Sequence, residues 1–213
     1  VKRKNNWQEE LFYEDKLDIQ SLVEDVIADD QKMQFILSGL KSKDNHFREN
    51  SYRVMLEICE RAPETLIIHW GKLTDLLESK NAFQRGIGVQ LLSRLAVVDH
   101  AGWFDHRIDR YLDLLDDEKI MVSRYLVQHI WRVMDAKCNL REIVLERLLN
   151  IDQMHHTESR LALLKADVLE VLERYYQEIN GKNRLREFAK SALISSSPKA
   201  RKAAKKFLSE HDF

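Results

Sequence analysis

Asn45-His46-Phe47-Arg48 opens the stretch on which the reading of the chain turns. Phe47, Ser51, Met55 and Ile58 follow at i, i+4, i+8 and i+11, which is one face of a helix with 3.6 residues per turn. Asn81-Ala82-Phe83-Gln84 restates it 36 residues later, with Phe83, Ile87, Leu91 and Leu95 on the expected buried face. Val122, Leu126, Ile130 and Val133 form a third copy, a further 39 residues on. A weaker fourth carries Ser159-Arg160, Leu163 and Asp167-Val168, and the last is Ala200-Arg201, Ala204 and Leu208. An amphipathic helix that returns every 36 to 41 residues is the signature of a repeat array.

Second helices recur between the first ones. Leu73-Thr74-Asp75-Leu76-Leu77-Glu78 is echoed by Tyr111-Leu112-Asp113-Leu114-Leu115-Asp116, and Arg147-Leu148-Leu149-Asn150 and Ala192-Leu193-Ile194-Ser195 hold the corresponding places. Short polar bridges separate the units: Ser79-Lys80, Asp116-Asp117, Asp152-Gln153 and Ser195-Ser196-Ser197. Asp44 or Asn45, Asn81 and Ser197 suit helix N-caps, and Pro63 and Pro198 suit a first turn, where a missing N–H has no helical partner to lose. The expected organisation is an acidic helical cap over 1–42, with helices over Leu17 to Ala28 and Gln31 to Leu40. Repeat units follow over 43–80, 81–117, 118–153 and 154–197, with a final helix over 198–210.

Composition agrees. Of 213 residues, 32% are charged and 44% hydrophobic, while glycine numbers 6 and proline 2, far too few for the turns of a sandwich, a barrel or a doubly wound sheet. No run approaches the ~18 apolar residues of a membrane span. The opening Val1-Lys2-Arg3-Lys4 lacks the apolar core of a secretory signal, and Cys59 and Cys138 stand in apolar-periodic surroundings. Buried thiols and a cytoplasmic location are the expectations.

Ala200-Arg201-Lys202-Ala203-Ala204-Lys205-Lys206-Phe207-Leu208 and Phe47-Arg48 carry an apolar residue followed by a base, then small or apolar residues three and four on. This resembles the HEAT-repeat family across roughly residues 43 to 210, with the Arg displaced to Arg85 and Arg124 in the second and third copies. The resemblance implies an all-α fold, a right-handed α-α superhelix (solenoid) of five to six helix pairs. First helices would line its convex side and second helices its concave side, a broad surface suited to another macromolecule.

Net charge is −1, but it is unevenly spread. From Gln8 to Asp30 there are nine acids (Glu9, Glu10, Glu14, Asp15, Asp18, Glu24, Asp25, Asp29 and Asp30) against Lys16, a net of −8. From Lys182 to Lys206 nine bases face only Glu187, a net of +8. Lys182, Arg184, Arg186, Lys190, Lys199, Lys202, Lys205 and Lys206 form a candidate basic patch; Arg201 stands at the structural Arg position of the resembled family. Phosphate-rich or acidic partners, or simple solvation of a terminal cap, would each account for it.

Nothing in the sequence forms a nucleophile elbow, a phosphate loop or a zinc spacing. His155-His156 diverge by about 100° on a helix, and Asp99-His100 with Asp105-His106 are better explained by capping and exposure. No catalytic residue, cofactor or metal is expected. The expected function is a non-enzymatic scaffold binding a protein partner on the concave face through Lys72, Asp75, Glu78, Arg107, Arg110, Asp113, Arg141 and Glu142. The alternative is nucleic-acid binding through the basic patch, extending to the HEAT-like glycosylases that excise alkylated DNA bases. Trp70, Trp103 and Trp131, with Asp105 and Asp135 nearby, are its candidate residues. That family's motif is not matched residue by residue, and Asp109, Asp113, Asp116, Asp117 and Glu118 would repel a DNA backbone.

Overall fold

The computed structural model describes residues 8–15 and 17–211. Lys16 and the opening Val1–Lys4 lie outside the described residues. Among the described residues there are eleven α-helices, joined by short 3-10 segments, and no strand. The chain divides into two compact units, one ending at Ala101 and the other beginning at Gly102, a boundary inside the expected 81–117 repeat.

In the first unit, α1 (Ile19–Ala28) and α2 (Asp30–Gly39) pack against each other and on α3 (Asn45–Arg61). A 3-10 turn, Glu9–Tyr13, lies on α3, where the amide of buried Asn50 donates to the Phe12 and Glu14 carbonyls at 3.0 and 2.9 Å. The Phe12, Phe35 and Phe47 rings meet there, 4.7 to 6.3 Å between centroids. A 3-10 stretch, Pro63–His69, leads into α4 (Trp70–Thr74), and α5 (Ala82–Leu95) packs on α3 and α4. In the second unit, α6 (Trp103–Leu112), α7 (Ile120–Ala136), α8 (Arg141–Leu149), α9 (Glu158–Tyr175), α10 (Lys182–Leu193) and α11 (Pro198–Glu210) follow in order. There α7 packs on α9 and α9 on α11, while α8 packs on α10, so alternate helices are neighbours.

The helix starts are built by a device that recurs. Ser42, Ser79 and Ser195 each accept, through the side chain, the N–H two residues on, at 3.0 to 3.1 Å. Asp44, Asn81 and Ser197 then cap α3, α5 and α11 with their side chains. Arg48, Arg85 and Arg201, each six residues after the serine, return a guanidinium to its carbonyl at 2.9, 2.7 and 2.6 Å. The guanidinium thereby satisfies backbone acceptors that the turn leaves without a helical partner.

This device corrects the sequence register. Arg48 and Arg85 are equivalent at 37 residues, so Phe47 corresponds to Gln84 and not to Phe83. Gln84 donates to the Lys41 carbonyl at 3.0 Å and accepts from the Ser79 hydroxyl at 2.6 Å. Phe83, expected in the core, is 58% exposed, with the Arg48 guanidinium over its ring at 5.4 Å. Ile87, Leu91 and Leu95 are buried as expected, as are Val122, Leu126, Ile130 and Val133. In the fourth copy Leu164 is fully buried and Leu163 only partly, which shifts that face by one residue. The cysteines also divide: Cys59 is buried, but Cys138 is exposed because it sits in the short 3-10 turn Cys138–Leu140 between α7 and α8.

Buried His69 gives the first unit a pH dependence. Burial lowers its pKa, and Lys72 acts in the same direction, while Asp30 partly opposes them. Between that depressed value and the ordinary ~6.5, the unfolded chain binds more protons than the folded one. Stability from this residue is therefore present above about 6.5 and is lost as pH falls through the window. Denaturant midpoints measured from pH 7.5 to 5 should fall more steeply for the wild type than for His69→Gln.

Candidate interaction surface

The second-helix positions are built by a second recurrent device. Asp75–Glu78 and Asp113–Asp116, sequences DLLE and DLLD, both form 3-10 turns that end their segments. In each the third residue is a buried leucine, Leu77 in one and Leu115 in the other, Leu76 is buried as well, and the first aspartate stays outside. Lys72, Asp75, Glu78, Arg107, Arg110, Asp113 and Glu142 are exposed, and Arg141 is half-buried.

Four of these eight side chains, Lys72, Asp75, Asp113 and Arg141, also bond to residues 34 to 38 positions away in the chain. Lys41 and Asp75 approach to 3.6 Å, and the Lys72 ammonium donates to Gln34. Arg147 donates to Asp113 at 2.7 Å, 34 residues away, and Arg184 to Glu146 at 2.6 Å, 38 away. Arg141 donates to Glu178 and, through Nε, to the Met134 carbonyl at 2.8 Å. Arg107 lies over the Trp103 ring at 5.4 Å. The first helices are tied likewise, Arg94 to Glu60 at 3.4 Å and Arg174 to Asp135 at 2.6 Å. These long-range partners lie 34 to 39 positions apart in the chain, close to the interval at which the helix pattern recurs.

The carboxylates that respond to these ties are pulled toward the ionised form. Hydrogen bonds from Lys137 and Asn139 lower Asp105, and those from Arg184 and Asn150 lower Glu146. Burial pushes Asp135 up, but the Tyr175 hydroxyl at 2.5 Å and Arg174 outweigh it. Tyr175 is in turn raised by its burial and by Asp135, so it stays a neutral donor. Burial likewise pushes Asp116 up, and the His155 ring and N–H, at 2.6 and 2.7 Å, bring it down. A general acid or base for neutral pH requires a shift in the opposite sense.

The glycosylase candidates are absorbed by the same ties. Asp105 accepts from Lys137 at 2.8 Å and from Asn139 at 2.5 Å, and Asp135 is engaged as above. Arg132 and Arg174 lie over the Trp131 ring, at 4.6 and 4.4 Å from its centroid. Trp70 is buried at 7% exposure. The basic patch is partly compensated: Lys190 pairs with Glu187, Lys199 with Asp167 and Glu170, and Lys206 reaches Glu210 at 3.8 Å. Lys182 lies over the Tyr176 ring at 3.8 Å, and Arg186 is half-buried. Lys202 and Lys205 are exposed and make no ion pair among the described residues.

Among the described residues no three His, Cys, Asp or Glu side chains converge as a metal set, and no helix is long and apolar enough to cross a membrane. No protein-family model matches the chain, and no curated protein matches it. The sequence signals for these ties were weak, since Asp105, Asp135 and Glu146 gain meaning only when paired with bases 32 to 39 residues on.

Proposed function

We propose that the chain is a HEAT-like α-α solenoid acting as a non-enzymatic scaffold, and that it holds a protein partner on the face formed by its second helices. The observation that carries this reading is the set of exposed, mixed-charge side chains on the second helices of the second unit, among them Asp113 and Glu146, which Arg147 and Arg184 hold in place. Side chains held in place before binding lose less rotamer freedom when a partner arrives. Alternating charge selects a polar protein surface of matching pattern. The lowered carboxylates support a structural and recognition role over proton transfer.

Two variants with reversed charge test the face. Arg107→Glu with Glu142→Lys changes second-helix positions, and Glu49→Lys with Glu170→Lys changes first helices. In affinity capture from native extract, the first pair should lose the partner at least tenfold and the second should retain it. Equal capture by both would overturn the assigned face. Duplex DNA is the contrasting arm: binding with a log–log salt slope of several would require several phosphate contacts and would favour the nucleic-acid reading.

A further inference from the structure

The connector from α9 to α10, residues 176–181, is anchored on both sides of an exposed pair, Asn180-Gly181. Ahead of the pair, the Glu178 and Ile179 N–H groups donate to the Tyr175 carbonyl at 2.9 and 3.1 Å, and the Ile179 side chain is buried. After it, the Arg184 N–H donates to the Gly181 carbonyl at 2.9 Å and opens α10. Between these anchors neither the Asn180 carboxamide nor the Gly181 N–H makes a hydrogen bond among the described residues. Gly181 has φ +76°, a conformation that favours glycine, and no Cβ stands beside its nitrogen.

Asn180 is the one asparagine of the sequence that a glycine follows. The other described asparagines are held or hindered. Asn45 and Asn81 accept from Arg48 and from the Phe83 N–H at 2.6 and 2.9 Å, Asn50 is buried, and Asn139 and Asn150 donate to Asp105 and Glu146. Asn183 makes no such bond, but it lies inside α10, and the backbone N–H that follows it is that of Arg184, already engaged with Gly181.

We propose that Asn180 is a site of spontaneous deamidation, where the Gly181 nitrogen closes on the side-chain carbonyl and water opens the resulting succinimide. The bond that forms joins Gly181 N to Asn180 Cγ. The bond that breaks is Cγ–Nδ2, and the amide nitrogen leaves as ammonia with the proton that Gly181 gives up. Hydrolysis at Cγ then yields aspartate, and hydrolysis at the main-chain carbonyl yields isoaspartate, whose backbone runs through Cβ and Cγ. Solvent water is the only co-reactant. Both products place a carboxylate one residue ahead of Gly181, at the positive end of the α10 dipole and close in sequence to Lys182, Arg184 and Arg186. Isoaspartate also lengthens the backbone between the Ile179 anchor and the first bond of α10, the helix whose Arg184 holds Glu146. The site rests on the chemistry of the connector and stands or falls separately from the partner-binding face.

Peptide mapping by mass spectrometry on the purified, folded chain provides the test. After incubation at mildly alkaline pH, the tryptic peptide Tyr175–Lys182 should gain the mass difference between an amide and an acid. It should separate into an aspartate and an isoaspartate form, the second a substrate for an isoaspartate methyltransferase. The rate should rise with hydroxide concentration, because the deprotonated Gly181 nitrogen is the attacking group. It should lie within about tenfold of the rate in a synthetic peptide of the same sequence, since the fold ties down neither reacting group. Asn180→Gln, which closes a larger ring, should remove the mass gain while leaving the melting temperature near the wild-type value. Gly181→Ala should slow it by about tenfold or more, since a Cβ then shields the nitrogen. Greater protection in the folded chain, a gain that persists in Asn180→Gln, or conversion at Asn180 no faster than at Asn139 and Asn183 would overturn the proposal.

Discussion

Replacing Gly39 by alanine should destabilise the protein by about 2–3 kcal/mol, against the ordinary preference for alanine in a helix. The Cβ would land on the Ser51 hydroxyl, 2.8 Å from Ser51 Cβ and 2.7 Å from a Phe47 ring carbon. The hydroxyl can rotate away, but Ser51 Cβ moves only with α3, and Phe47 is wedged between Phe12, Phe35 and Tyr13. Glycine here lets α2 and α3 approach along their backbones. Gly71 supplies the contrast, for a Cβ there meets nothing within 4 Å. Gly71→Ala should therefore stabilise by about 0.5–1 kcal/mol. Thermal melts should separate the two variants in sign, with Gly39→Ala lowering the midpoint by about 5–10 °C. Ser51→Gly should recover part of that loss in the double variant. Equal midpoints for the two glycine variants would refute the close-approach account.

Why the sequence located helices better than faces follows from the same residues. Helix existence depends on local chemistry: Asp44, Asn81 and Ser197 cap as their residue types predict, and α11 begins at Pro198. Facing is a tertiary property. Phe83 matched Phe47 by type and by helical spacing, yet the serine-to-arginine device sets the register one residue away and turns Phe83 outward. A ruler based on Ser42 and Arg48, then Ser79 and Arg85, would have found it, because both intervals are six residues.

The candidate surface divides along the same line. Exposure of Asp75, Asp113 and Glu142 was readable from the period of the second helices. Their bonding was not, since a cross-repeat ion pair leaves no local trace. Asp113 and Arg147 look unrelated until the repeat spacing brings them to 2.7 Å. Cys138 shows the complementary failure: apolar neighbours suggested burial, but the 3-10 turn between α7 and α8 breaks the helical period there.

Asp167→Ala should cost about 3 kcal/mol, the largest expected effect of any charged-residue substitution in the second unit. Its carboxylate is fully buried and accepts from Arg124 at 2.7 and 3.2 Å, from Lys199 at 2.8 Å and from Gln128 at 3.3 Å. Those donors come from α7 and α11, so one side chain on α9 joins three successive first helices. Removing it takes away the buried anion that Arg124 and Lys199 share and leaves the two cations without it. Arg124→Ala should cost less, about 2 kcal/mol, because Lys199 and Gln128 still solvate the carboxylate. Lys199→Ala should cost under about 1 kcal/mol, since that ammonium is nearly half exposed. A double-mutant cycle on Arg124 and Asp167, by chemical denaturation, should return a coupling of about 1–3 kcal/mol. It should persist in high salt, where a buried bidentate pair is screened far less than an exposed one. If Asp167→Ala cost no more than Lys199→Ala, the carboxylate would be a surface charge in effect, and the rigid spacing of α7, α9 and α11 would need another cause.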